Sequence, residues 1–413
     1  MLLIMSFCCI KTNIHKHLES IYTGMSTRNL EIERRHLLKA LGAAGVLGVA
    51  GVPASAQEGE QIAFHAGGTG GTYYPLAGEF KTVVDGNTDH TLQVQSTGAS
   101  VENVGSLGQG TADFAMIQND IAYFAYNGVA LEEFEGAPIE SLRGVASLYP
   151  ETIHIITRPD AGVETLEDLD GASVNTGDLG SGTQVNALQI LETAGITQDD
   201  FTEQNTGFST AADQLRDADI DAAFIVGGWP VGAVEELATT ADIEILDIDE
   251  ETRGALVEET EWFTEDTIPG GTYADVEEDV NTVSVEAMIA TREDYDADVV
   301  YDVVEAIFDN EGEYSLKTEF ITLDTALAGM SIPLHEGAEE YFEEAGLSDE
   351  LAELDPDELE DDDDELDDDD APDDDDELDD DDALDDDDEL DDDDDLDDDD
   401  DLDDDDDLNG EDD

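Results

Sequence analysis

Four times between residues 58 and 350, a short apolar run ends in a small, glycine-rich segment that opens directly onto a helical pattern. The segments are GGTGGTYY (67–74), STGAS (96–100), GDLGSGTQ (177–184) and GGWP (227–230). A strand, a glycine turn and a helix, repeated along the chain, restrict the fold to the α/β class, with parallel-rich sheets and helices on both faces. Ligands of open parallel sheets gather beyond the carboxyl ends of the strands. Helix N-termini there present unpaired N–H groups and a partial positive charge, which suit an anion. Each loop taken singly has a plainer use, because glycine also serves a tight turn that needs positive φ.

The rest of the body reads the same way. Strands are expected at 62–67, 92–98, 112–120, 143–149, 153–159, 172–178, 221–228, 242–248 and 282–291. Between them a helical face runs from Tyr74 to Val84, with Leu76, Phe80, Val83 and Val84 on one side. Further helices are expected from Ser100, over 121–128, over 183–194, and at 299–310 as a closing element.

Charge removes whole classes of function. The 413 residues hold 112 Asp+Glu against 13 Lys+Arg, a formal net charge of −99. Binding to DNA, RNA or anionic lipid begins with basic side chains neutralising phosphates, so no nucleic-acid partner is expected. Residues 57–354 alone carry 64 acidic side chains against seven basic ones. Self-repulsion on that scale destabilises a compact state unless salt screens it, and the Debye length falls to about 3 Å at molar salt. Concentrated brine is the expected working medium.

The two ends are of a different character. Residues 33–57 read ERRHLLKALGAAGVLGVAGVPASAQ, with Arg34 and Arg35 ahead of a Gly/Ala/Val run and Ala54-Ser55-Ala56. This is the layout of a twin-arginine export signal over 25–56, and it predicts an exported, extracytoplasmic protein. Residues 1–24 precede the more ordinary start at Met25 and are a doubtful N-terminal extension. Residues 355–413 contain 45 acids among 59 positions, with Leu378, Leu384, Leu390, Leu396, Leu402 and Leu408 every sixth residue. A period of six lines neither a helix nor a strand face, so a disordered, solvated tail is expected.

Catalytic constellations are not evident. The only cysteines, Cys8 and Cys9, precede the signal, which leaves the exported body without a thiol nucleophile or a Cys-based metal site. GGTGGTYY lacks the GK[ST] ending of a phosphate loop, and the residues around Ser181 do not make G-x-S-x-G. His65, His154 and His335 have no spacing that suggests a metal or a triad, and structural roles are expected for them. Neither enzymatic activity, a metal nor a cofactor is expected.

GTGGTYYPLAGEF (68–80), STGASVENVGSLGQGTADFAMIQND (96–120), RGVASLYPETIHIITRPDAGVETLEDLDGASV (143–174), GSGTQVNALQILETAGI (180–196) and IPGGTYADVEEDVNTVSV (268–285) together resemble one family. The chain looks like an extracytoplasmic solute receptor of the TAXI type, haloarchaeal in character, from a tripartite ATP-independent periplasmic (TRAP) transporter. The resemblance spans about 60–345 and implies a type II periplasmic-binding-protein-like fold of two lobes with a hinged cleft. It implies lobe one at 57–150 and 280–347 and lobe two at 151–279. It further implies a small organic anion or amino acid, glutamate-like or dicarboxylate, passed to TRAP-type membrane permease subunits. Matching positions place Gly70, Thr72 and Tyr73 on the first loop, Thr97 and Gly98 on the second, and Gln118 and Asn119 after the third strand. Ser181, Gly182 and Thr183 would cap the lobe-two helix, with Trp229 and Pro230 facing across. Arg143 and Arg158 are the cations expected near the cleft edge, each with a surface ion pair as its plainer role. A sensor module feeding a membrane signalling partner is the alternative from another class.

Overall fold

The computed structural model describes residues 59–354. The extension 1–24, the export signal 25–56 and the acidic tail 355–413 lie outside the described residues. In chain order, β1 (Gln61–His65) leads to α1 (Tyr73–Asn87), β2 (Thr91–Gln95) to α2 (Ser100–Gly108), and β3 (Phe114–Gln118) directly to α3 (Asn119–Asn127). The long β4 (Leu142–Thr157) follows, then β5 (Ser173–Asn175), α4 (Gly182–Thr193), β6 (Thr202–Gln204), α5 (Phe208–Arg216), β7 (Ala222–Val226) and α6 (Gly232–Thr240). β8 (Glu244–Ile245), α7 (Glu250–Glu259) and β9 (Thr264–Ile268) precede a second long strand, β10 (Val280–Arg292). The described chain closes on α8 (Ala297–Asp309), α9 (Glu336–Ala345) and α10 (Ser348–Leu354).

The strands order as β2-β1-β3-β10-β4-β7-β5-β6, with β8 beside β4 and β9 beside β10. Pairings of β1 with β2 and β3, and of β5 with β6 and β7, are parallel. The expected α/β class with a parallel-rich sheet is therefore present. β10 runs antiparallel to both β3 and β4, and β4 antiparallel to β7, so the sheet is mixed at its middle.

Two strands expected at 143–149 and 153–159 are one continuous strand of 16 residues. Pro150 does not break it, because its fixed φ suits extended backbone and a strand loses only one ladder donor there. The strand also changes partner as it runs. Residues Leu142 to Thr152 pair β10, with register shifts opposite Ala287/Met288 and Ile289/Ala290, and residues Ile153 to Thr157 pair β7. The helix expected to close the fold at 299–310 is α8, but α9 and α10 follow it.

Packing follows the sequence periodicity closely. α1 buries Leu76, Phe80, Val83 and Val84, as its spacing predicts, against Phe64, Phe114 and Met116 of the sheet. Each such side chain contributes about 1.5–3 kcal/mol when fully buried. On another face, Trp262 packs edge-on against Phe124 at 4.8 Å between ring centres. The helix ends are cut by local chemistry. Asp249 and Asp296 cap α7 and α8 through their carboxylates, and Gly128 ends α3 in the left-handed conformation.

Candidate functional site

Three of the four glycine-rich loops, 67–74, 96–100 and 177–184, converge on one cavity of about 70 Å³ at the carboxyl ends of the strands. Gly70, Thr72, Tyr73, Thr97, Gly98, Gln118, Ser181, Gly182 and Thr183 all line it. Four helices begin at its wall: α1 after Thr72, α2 after Ala99, α4 after Ser181 and α5 after Gly207. Only α4 among these carries a side-chain cap. The Ser181 hydroxyl accepts from Gln184 N at 3.2 Å and donates to the Asp178 carbonyl at 2.7 Å. The first-turn N–H groups of the other three are not capped by side chains, and they supply the positive ends of three helices to one space.

Contacts across the cavity tie separate loops together. Thr72 Oγ1 donates to the Gly228 carbonyl at 3.2 Å, and Ala233 N donates to the Gly70 carbonyl at 3.0 Å. A Cβ on Gly70 would stand 2.5 Å from Ser209 Oγ, so a side chain there would make the Ser209 hydroxyl of α5 turn away. The Gln118 amide donates to Asn186 Oδ1 at 3.1 Å, and Asn186 in turn donates to Asp120 Oδ2 at 2.7 Å. Burial pushes Asp120 up to about 7.

The floor is acidic. Glu151 is 4 % exposed, accepts from Tyr73 OH at 2.9 Å, and lies 3.4 Å from Tyr149 OH. Burial raises its carboxyl to about 8, against hydrogen bonds from Tyr73, Gln118 and Tyr149 that pull the other way. Burial likewise raises Tyr73 and Tyr149 well above the ordinary phenol range. At the mouth stands exposed Asp178, raised by partial burial and by the neighbouring Glu102 carboxylate. The cavity lining contains no Lys, Arg or His.

Three expected residues do not line this cavity. Asn119 is buried beneath it, accepting from Glu286 N at 3.0 Å and donating to the Gly329 carbonyl at 3.2 Å. Trp229 packs edge-on against Phe320, and its carbonyl accepts from the Lys317 ammonium. Pro230 follows it in the same loop. Nor do the two arginines reach the cavity. Arg143 pairs with Glu293 at 2.7 Å, and Arg158 with Asp160 at 3.1 Å while donating to the carbonyls of Leu215 and Ile220. His154 is held between the Thr152 carbonyl and Tyr273 OH, and His335 caps α9.

Glu151, Ser100, Asp178, Gly207 and Phe208 line the cavity without having been singled out in the sequence. For Glu151 a signal existed, since it is an acid inside the apolar run LYPETIHII, where an unpaired carboxylate is costly. Against so acidic a background it did not stand out.

A mixed α/β sheet with helix N-termini gathered over the carboxyl ends of its strands defines a ligand-binding fold. The profile of the NMT1-like family matches residues 64–346, and the chain belongs to that family. Among solved structures it is similar to the alkanesulfonate-binding protein of Xanthomonas axonopodis pv. citri bound to MOPS, at 13 % identity and a TM-score of 0.39. That match covers 70 % of this chain and 85 % of the other. An ABC uptake transporter substrate-binding protein from Streptococcus pneumoniae with bound histidine is similar at 16 % identity and a TM-score of 0.38, covering 62 % and 89 %. A binding-protein component of an ABC phosphonate transporter from Pseudomonas aeruginosa is similar at 11 % identity and a TM-score of 0.41, covering 61 % and 74 %. Among the described residues no helix is long and apolar enough to cross a membrane.

Proposed function

We propose that this protein is an extracytoplasmic solute-binding receptor that captures a small carboxylate-bearing solute, an organic acid or amino acid, between two lobes. The observation that carries the reading is the meeting of four helix N-termini on one cavity, with the Thr72 and Ser181 hydroxyls beside them. Backbone N–H donors bind a carboxylate through charge-assisted hydrogen bonds without any basic side chain, while the Thr72 and Ser181 hydroxyls hold the surrounding loops through the Gly228 and Asp178 carbonyls. That suits a chain with so few lysines and arginines.

In this reading lobe one comprises 57–150 and 280–347, lobe two comprises 151–279, and β4 and β10 are the strands that pass between them. The direct bonds from Thr72 to Gly228 and from Ala233 to Gly70 are then contacts of the shut state. Ligand favours that state by binding it better than the open one, which is the only way a ligand shifts such an equilibrium. The receptor would deliver its solute to membrane permease subunits of the TRAP type, as a TAXI-type component exported through the twin-arginine signal into a saline exterior.

The test is a thermal-shift screen of the full chain in about 3 M KCl, where charge repulsion is screened. Its panel holds glutamate, glutamine, 2-oxoglutarate, succinate, malate and fumarate. A ligand at a hundred times its dissociation constant adds about 2.7 kcal/mol of stability. One saturable hit without product is the expected result. Turnover of a panel member would overturn the receptor reading.

A further inference from the structure

The cavity that offers helix N-termini to a carboxylate is, in its charged side chains, acidic. Its lining holds two carboxyl groups, Glu151 at the floor and Asp178 at the mouth, and no cationic side chain. Lys317, a cation that interacts electrostatically with Glu151, is 6 % exposed and gives its ammonium to the Trp229 carbonyl, with the Tyr149 ring 5.9 Å away. A second acceptor lies beside Glu151. Gln118 is 2 % exposed, its amide nitrogen donates to Asn186 and towards Glu151, and its Oε1 has no hydrogen-bond partner among the described residues. Orphaned buried acceptors are costly and rare, and once Glu151 gives up its proton both floor groups accept, so a donor on the solute answers them. A simple dicarboxylate brings none. It would also oblige Glu151 to keep its proton, because a carboxylate against the ionised group in a poorly solvated space is costly.

We infer that the solute carries a protonated amino group alongside its carboxylate, and that Glu151 is the residue that reads that group. The inference rests on the receptor reading above and narrows it from organic acids in general to amino acids. The carboxylate of the solute faces the helix N-termini, and its ammonium faces the floor.

The two alternatives differ in the direction of proton movement. Several groups face Glu151: Tyr73 from α1, Tyr149 from β4, Asp120 from α3, Glu286 from β10 and Lys317 from the segment after α8. In the free protein the buried Glu151 carboxyl holds its proton up to about pH 8. A ligand ammonium favours the ionised form and expels that proton, so affinity for an amino acid rises as pH climbs towards about 8. A ligand carboxylate would do the reverse. Asp120, Glu286 and Lys317 also titrate near neutrality, at about 7, 8 and 8, so a variant is needed to assign the proton.

The experiment is calorimetric titration of the full chain in concentrated KCl, in two buffers of different ionisation enthalpy. The ligands are matched pairs: glutamate with 2-oxoglutarate and glutarate, aspartate with succinate, and alanine with pyruvate. The inference expects the amino member of a pair to bind at least about tenfold more tightly, a difference of about 1.4 kcal/mol. It also expects proton release on binding at neutral pH, with preference and release both lost in Glu151→Gln. Equal or tighter binding of the deaminated partner, or proton uptake by the wild type, would overturn it. So would a Glu151→Gln protein that keeps the release, or an Asp178→Asn protein that alone loses the preference. If Glu151→Gln fails to fold, the pairwise ratio and the sign of proton movement in the wild type still decide. Binding of the deaminated acids alone would leave the receptor reading standing while removing this inference. Absence of binding by every member of every pair would count against the receptor reading and the inference together.

Discussion

The side-chain oxygen of Gln118 stands 1.5 Å from where a Cβ on Gly182 would be, so the buried amide at the end of β3 fills the space that a side chain at the start of α4 would take. Gln118 holds the same helix a turn further on, through Asn186. Replacing Gly182 by alanine forces this contact apart, and overpacking of this kind costs about 1–3 kcal/mol. Elsewhere on a helix the same change is favourable, because alanine loses less entropy than glycine. Gly182→Ala should therefore lower the melting temperature and weaken solute binding. Unchanged values for both would show that the two elements are free to part.

Ser181 supplies a different kind of constraint. Its hydroxyl caps α4, and loss of such a cap costs about 1 kcal/mol, whereas glycine at the same place costs only a few tenths. Denaturant titration of Ser181→Ala and Ser181→Gly should separate by that margin. Both variants should bind solute more weakly than the wild type, since the hydroxyl lines the cavity. Wild-type affinity in either would remove Ser181 from the site.

The pH dependence of stability has a definite sign. Asp120 is raised to about 7, and Glu151 and Glu286 to about 8, in each case chiefly by burial. Raised carboxyls favour the folded state below their unfolded values, and that advantage is lost as pH climbs through the folded ones. Stability should fall between about pH 5 and about pH 8. Lys317, lowered to about 8 by burial, reverses the trend above that point. Glu286→Gln should make the fall shallower, by up to about 1.4 kcal/mol per pH unit. An unchanged slope in chemical denaturation would show that Glu286 ionises freely in the folded protein.

Salt dependence tests the charge argument. With 64 acidic and seven basic side chains over residues 57–354, the compact state should lose stability steeply as KCl is diluted from molar to millimolar concentration. Ion pairs such as Arg143–Glu293 are too few to offset the repulsion, and exposed pairs contribute about 0–1 kcal/mol each. A melting temperature independent of KCl would contradict this.

How far the sequence was legible depends on whether the cause was local. Glycine loops such as 67–74 and 177–184 announce strand-to-helix turns through backbone freedom, and nine of the twelve expected site residues do line the cavity. α1 was legible because a 3.6-residue period places Leu76, Phe80 and Val83 on one side. The insertion of β10 between β3 and β4 was not, because no local pattern names a strand's neighbour across more than 100 residues. Trp229 looked like a cleft aromatic, but its partners Phe320 and Lys317 come from a segment about 90 positions later. Glu151 was hidden for a compositional reason. Where acids are the background, only burial distinguishes the one at the floor, and burial belongs to the folded chain.

The most direct test of the account is a binding titration of the full chain in concentrated KCl with the solute that most raises its melting temperature, while the solution is assayed for chemical change. The account predicts one site per chain, solute recovered intact, and affinity reduced in both Thr72→Ala and Ser181→Ala. Saturable consumption of the solute, or full affinity after both loop hydroxyls are removed, would contradict it.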